Sequence, residues 1–206
     1  MLHPATELRF IDSVIGYGVF ATQRIPKGTL TWVRDELDQT FTPERMKRFS
    51  TFHRELLDRY SFVDRHGDYV LCWDHARYIN HACEATSLSP GYGFEIAVRD
   101  IEQGEELTDD YGTLNIDVPF TCCCGSAVCR KEIRPDDLVR YADGWDRLIA
   151  GVFGRISQVA QPLWELVTEK DEVARVLAGE LPIASCRQNF FLPATEAQPL
   201  RSQANA

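Results

Sequence analysis

The stretch ELTDDYGTLNIDVPFTCCCGSAVC, residues 106–129, decides the fold. An acidic segment ends in Tyr111-Gly112 and is followed by a loop holding Cys122, Cys123, Cys124 and Cys129. Cys122, Cys124 and Cys129 make a C-x-C-x4-C spacing, and Gly125 permits a sharp turn between them. Short spacings of this kind let thiolates converge on one ion. Zinc takes four ligands in a tetrahedron, about 2.3 Å from each sulfur. Three ligands from one loop leave that shell open, so a fourth must come from elsewhere in the chain. Cys123 suits poorly, because consecutive side chains of an extended loop point apart. Cys72, Cys83 and Cys186 are the remaining candidates.

Composition favours metal over disulfides. Seven cysteines cannot pair completely, and neighbours such as Cys122 and Cys123 make a strained bridge. The N-terminal MLHPATELRF has no basic segment leading into an apolar core, so it does not read as a secretory signal. The expected location is therefore the cytoplasm, where thiols stay free or bind metal. A thiol oxidoreductase, the weakest alternative, would want C-x-x-C near a βαβ pattern, and neither is compelling here. No apolar run approaches the length of a membrane span. The net charge of −9 disfavours direct nucleic-acid binding and suits a basic peptide, although it serves solubility equally well.

Along the chain, residues 7–33 alternate short apolar runs with Gly16, Gly18 and Pro26-Lys27-Gly28, the grammar of short strands and tight turns. Thr42-Pro43 opens a helix expected over about 43–59, with Thr42 as N-cap. Strand grammar returns at 68–73, 92–101 and 105–112. From Asp136 apolar residues step by three or four, interrupted by Gly151, Gly154 and Pro162, which predicts two or three shorter helices. The Pro/Ala-rich end, 193–206, is expected to fray.

Three further motifs are ordinary when taken singly: Gly16-Tyr17-Gly18, Arg77-Tyr78-Ile79-Asn80-His81-Ala82-Cys83, and Glu106-Leu107-Thr108-Asp109-Asp110-Tyr111-Gly112. A hairpin, a hydrogen-bonded pair and a solvated edge would explain them. Their order, ending in Phe120 to Cys129, resembles a SET-domain protein lysine methyltransferase with a post-SET zinc loop, of the compact kind found free-standing in bacteria. The resemblance covers about residues 6–131. It implies an α+β, mainly β fold: small curved sheets of the SET (β-clip-like) type with a pseudoknot, followed by C-terminal helices. The domains expected are a SET domain over 6–118, a post-SET loop over 119–131 and a helical extension over 132–192.

The resemblance also assigns roles. Cys83 joins Cys122, Cys124 and Cys129 around zinc, pinning the loop over the site. Gly16, Tyr17 and Gly18 admit the backbone of S-adenosylmethionine's site close to the cofactor, Asn80 and His81 bind its amino-acid and adenine parts, and Phe120 lies against the adenine. Tyr111 also contacts the cofactor and places its hydroxyl at the point of transfer to a lysine ε-amine of a basic protein or peptide. Tyr60, Tyr69, Tyr78 and Phe94 are candidates for the lysine channel. Six carboxylates between Asp100 and Asp110 could steer a basic peptide or line a solvated edge.

Two positions depart from the family. Glu84-Ala85-Thr86 replaces the usual continuation after Cys83, and Asp109 stands where Phe or Tyr is common. An acid there could hold the substrate ammonium or point away. These departures keep a second function open, a non-catalytic SET-like peptide-binding module stabilised by zinc.

Overall fold

The structure, a computed structural model, describes residues 1–191; the tail expected over 193–206 lies outside them. In chain order the first half forms β1 (Thr6–Asp12), β2 (Gly16–Ala21), β3 (Leu30–Val33), β4 (Gln39–Phe41), α1 (Pro43–Lys47), α2 (Thr51–Tyr60), β5 (Ser61–Val63) and β6 (Tyr69–Leu71). The second half forms β7 (Asn80–His81), β8 (Ser87–Leu88), β9 (Phe94–Ala97), β10 (Glu106–Asp109), β11 (Phe120–Thr121), β12 (Glu132–Ile133), α3 (Asp137–Phe153) and α4 (Lys170–Leu177). This is an α+β, mainly β architecture. Its sheets are small: β1-β2-β10-β7, β3-β9-β8, β4-β6-β5 and the pair β11-β12.

Local chemistry sets the turns. Asp12 Oδ1 accepts from the backbone N–H groups of Val14 and Ile15, each at 2.8 Å, and Gly16 takes φ +88° to start β2. The helix expected over 43–59 is two helices. Thr42 caps α1 by accepting from Arg45 N at 3.2 Å, as its position suggests. Ser50 then caps α2 by accepting from His53 N at 3.3 Å. A capping hydroxyl inside the periodic stretch restarts the helix instead of letting it run through. Gly151, by contrast, does not interrupt α3, which continues to Phe153 and ends at Gly154.

Two apolar clusters share β9, because alternate residues of a strand face opposite sides. Phe94 and Ile96 pack with Leu138, Trp145, Ile149 and Phe153 of α3. Ala97 joins Val19, Ile25, Ile101 and Leu107 in the other cluster. Phe94 is wholly buried in the first cluster, so it is a core residue and not part of any channel. Each large side chain so buried contributes about 1.5–3 kcal/mol. The C-terminal helices thus pack onto the sheets of their own chain.

The arrangement that builds the site is the parallel pairing of β7 with β10, Thr108 opposite Asn80 and Asp109 opposite His81. Ala82 N donates to Asp109 O at 3.0 Å and Thr86 N to Thr108 O at 3.1 Å. Glu84-Ala85-Thr86 therefore leaves this pairing on a fixed course.

Candidate functional site

Asn80 holds three strands together. Its Nδ2 donates to Tyr17 O on β2 at 3.0 Å and to Glu106 Oε1 on β10 at 2.7 Å. Gly18 lies underneath, where a Cβ would stand 2.4 Å from Glu106 Oε1 and 3.0 Å from Asn80 Nδ2. Gly18 is thus required by this knot of protein atoms. Tyr17 is exposed, edge-on to Phe10 and to Tyr78.

Tyr111 begins a short 3₁₀ turn just after β10. Its hydroxyl donates to Ile79 O at 2.6 Å, and its backbone N–H donates to His81 Nδ1 at 3.1 Å. Burial, with the charges of Asp109, Glu106 and Glu95, pushes the phenol pKa up, so Tyr111 stays protonated. Phe120 completes a wall with His81 at 5.9 Å and Tyr111 at 6.1 Å between ring centroids.

The cysteines meet beside this wall. Cys122 Sγ lies 3.8 Å from Cys83 Sγ and 3.6 Å from Cys129 Sγ. Tetrahedral zinc bound by thiolates would separate its sulfurs by about 3.8 Å. The Cys124 sulfur lies within 4.8 Å of those of Cys83 and Cys122. Backbone N–H groups point at the sulfurs: Arg130 N to Cys83, Lys131 N to Cys129 and Cys83 N to Cys124, at 3.4–3.5 Å. Burial opposes ionisation of Cys124, yet the N–H groups of Cys83 and Ser126 and the neighbouring thiols bring its pKa down to about 7. Donors aimed at converging sulfurs are the surroundings a thiolate metal site needs, so these residues fit a metal ion. Cys123 is exposed, while Cys72 and Cys186 are buried as separate free thiols.

His81 also approaches the cluster: its Nε2 lies 3.4 Å from Cys83 Sγ, and His81, Cys83, Cys122 and Cys124 place ligand atoms within 4.8 Å of one another. Its other nitrogen accepts from Tyr111 N–H, which puts the proton of the neutral ring on Nε2. Burial lowers the His81 pKa and keeps that ring neutral. In this tautomer His81 donates to the Cys83 sulfur.

Four residues of the site have no motif of their own. Arg130 Nη1 reaches Asp110 Oδ2 at 2.9 Å, its other terminal nitrogen binds Oδ1, and Trp145 Nε1 donates to the same carboxylate at 3.2 Å. This ties the cysteine loop and α3 to the residue preceding Tyr111. Asp137 joins Arg130 at 3.6 Å. The fourth is Glu95. A cleft of about 1070 Å³ opens beside Tyr111, lined by Trp32, Tyr60, Phe62, Tyr69 and Ile79, with Glu95 and Asp109 in its wall. Tyr78 lies outside that lining and packs on Tyr60 at 5.3 Å. The carboxylates expected to form an acidic edge are largely engaged: Asp100 with Arg24, Glu105 with Arg99, Glu106 with Asn80, Asp110 with Arg130.

Residues 16–112 match the model of the SET-domain family. Over 137 residues the chain is 31% identical to histone-lysine N-methyltransferase trithorax of Drosophila virilis, covering 60% of this chain and 4% of that protein. It is 25% identical over 131 residues to the Arabidopsis thaliana protein described as "Putative histone-lysine N-methyltransferase ASHH4", covering 57% of this chain and 36% of the relative. The chain thus spans a minor part of either relative's length. Among solved structures, the methyltransferase domain of human SETMAR aligns at 18% identity with a TM-score of 0.46, over 65% of this chain and 58% of that one.

Proposed function

We propose that this chain transfers methyl groups from S-adenosylmethionine to the ε-amine of lysine in a basic protein or peptide. The observation that carries it is the meeting of Asn80, His81, Tyr111 and Phe120 at the β7–β10 pairing, at the edge of an aromatic cleft. S-Adenosylmethionine supplies an electrophilic methyl group on a positive sulfonium. Among the described residues Asn80 bonds through Nδ2 alone, which leaves Oδ1 to accept, and it would hold the cofactor's ammonium. The Phe120 face suits the adenine. The protonated Tyr111 hydroxyl is anchored on Ile79 O and leaves its lone pairs for the reacting groups. Holding amine and methyl in line removes much of the entropic barrier.

The cysteine loop reads as a post-SET loop, with zinc held by Cys83, Cys122, Cys124 and Cys129. The ion would supply a cross-link between β7 and the chain after Phe120. His81 would carry that order to the Tyr111 backbone by bonding both sides at once. Removing the hydroxyl tests the assignment. Tyr111→Phe is expected to bind S-adenosylmethionine as the parent does and to lose on the order of 10²-fold in kcat. Undiminished transfer by this variant would remove Tyr111 from the mechanism.

A further inference from the structure

Glu95 and Asp109 are acids where two buried strands would be apolar. Alternation explains how they meet. Ala97 of β9 and Leu107 of β10 share one apolar cluster, and stepping two residues along each strand reaches Glu95 and Asp109 on the same faces. Both are nearly sealed, at 7% and 2% exposure, and both stand in the cleft wall with Tyr111. Burial raises the pKa of both acids, and the Glu95 charge raises Asp109 further, so the two hold each other toward protonated forms. Asp109 Oδ1 also accepts from Asp110 N at 2.7 Å. Glu95 Oε2 is buried with no hydrogen-bond partner among the described residues. A buried carboxyl oxygen without a partner, on a residue that walls an aromatic cleft, is costly unless a donor reaches it.

We propose that Glu95 and Asp109 form the receptor for the substrate's ε-ammonium and take its proton at the Glu95 Oε2 position. The proposal rests on the methyltransferase reading for the identity of that amine. An N–H bond of the ammonium breaks and its proton passes to the carboxyl pair. The lone pair so freed forms the new N–C bond as the methyl–sulfur bond breaks, leaving a secondary ammonium. The proton on the pair then leaves to solvent, completing the balance. A free lysine has a pKa near ~10.4 and arrives charged, so a proton acceptor in the channel answers a need that aromatic walls alone do not. Burial raises both acids above the ordinary carboxylate range, Glu95 to about 7, which brings its titration close to neutrality. The groups facing it are Asp110 and Tyr111 beyond β10, Cys72 beyond β6 and, more weakly, the N-terminal ammonium.

The test compares the parent protein with Asp109→Asn, Glu95→Gln and the apolar double variant Glu95→Leu/Asp109→Phe, which fills the site if an amide is not tolerated. Methyl transfer to poly-L-lysine is measured at about pH 7 and about pH 10. A fall in kcat/KM on the order of 10²-fold at the lower pH, closing to within about threefold at the higher, is expected, because roughly a third of the amine then arrives neutral. A full rate at pH 7, or an equal deficit at both, overturns the proposal. Binding of n-butylamine by calorimetry is read independently of transfer. The variants should bind it at least about tenfold more weakly, and equal affinity overturns the receptor role. Loss of amine binding in the variants, with no transfer by the parent, would support the receptor and overturn the methyltransferase reading alone.

Discussion

Gly18 illustrates how far a single residue's role can be read without its neighbours. In the sequence, Gly16-Tyr17-Gly18 suggests backbone left bare for a ligand. In the fold, Gly16 serves a turn at positive φ, while the space Gly18 leaves is filled by Glu106 and Asn80. A methyl group there would push on the amide that joins β2, β7 and β10. Gly18→Ala should cost about 1–3 kcal/mol, read as a lowered urea midpoint, and should weaken cofactor binding through Asn80. An unchanged midpoint would show that the knot yields freely. Asp110 gives the complementary case: nothing in Asp109-Asp110-Tyr111 announces that Arg130 and Trp145 converge on it, because both partners are brought by tertiary packing. Motif residues were legible; the residues that orient them were not.

Among elements, the cysteine loop and β7 depend on each other. Cys83 sits just after β7 and contacts Cys122, while His81 bonds both the Cys83 sulfur and the Tyr111 backbone. Cys83→Ser should reduce bound zinc, measured by elemental analysis of the purified protein, and impair cofactor binding with it, since metal binding and loop order are linked. Full zinc content in this variant would rule out Cys83 as a ligand. Spacing alone left Cys72, Cys83 and Cys186 open as fourth ligands, because sequence distance says nothing of which strand lies beside the loop. The split of the helix at Ser50 escaped for a related reason. Apolar periodicity at Met46, Phe49 and Leu57 continues across the break, since α1 and α2 pack on the same small cluster.

For the whole molecule, the buried acids shape stability as well as chemistry. Glu95 has a folded pKa of about 7 against an ordinary value near ~4.5, and Asp109 is raised as well, both through burial. A raised acid keeps its proton in the folded state while the unfolded chain loses it. Its contribution is full below about pH 4.5 and is lost as pH rises through 7. His3, whose pKa burial lowers, acts oppositely and costs stability as pH falls below about 6.5. Thermal melts at pH 5 and pH 8 should therefore show the Glu95→Gln/Asp109→Asn protein gaining on its parent at the higher pH; a constant difference would mean the acids are not buried as a pair. The mainly β architecture with trailing helices was legible from turn chemistry and ordered motifs, whereas the burial of Glu95 was not, because a lone acid in an apolar run gives no sign of a partner on another strand. The central claim is lysine methylation, and mass spectrometry of a basic protein incubated with this chain and methyl-deuterated S-adenosylmethionine tests it most directly. Deuterated methyl on lysine nitrogen, appearing far more slowly when Tyr111 is replaced by Phe, is the expected result. Cofactor and peptide bound together with no label on any lysine would contradict it.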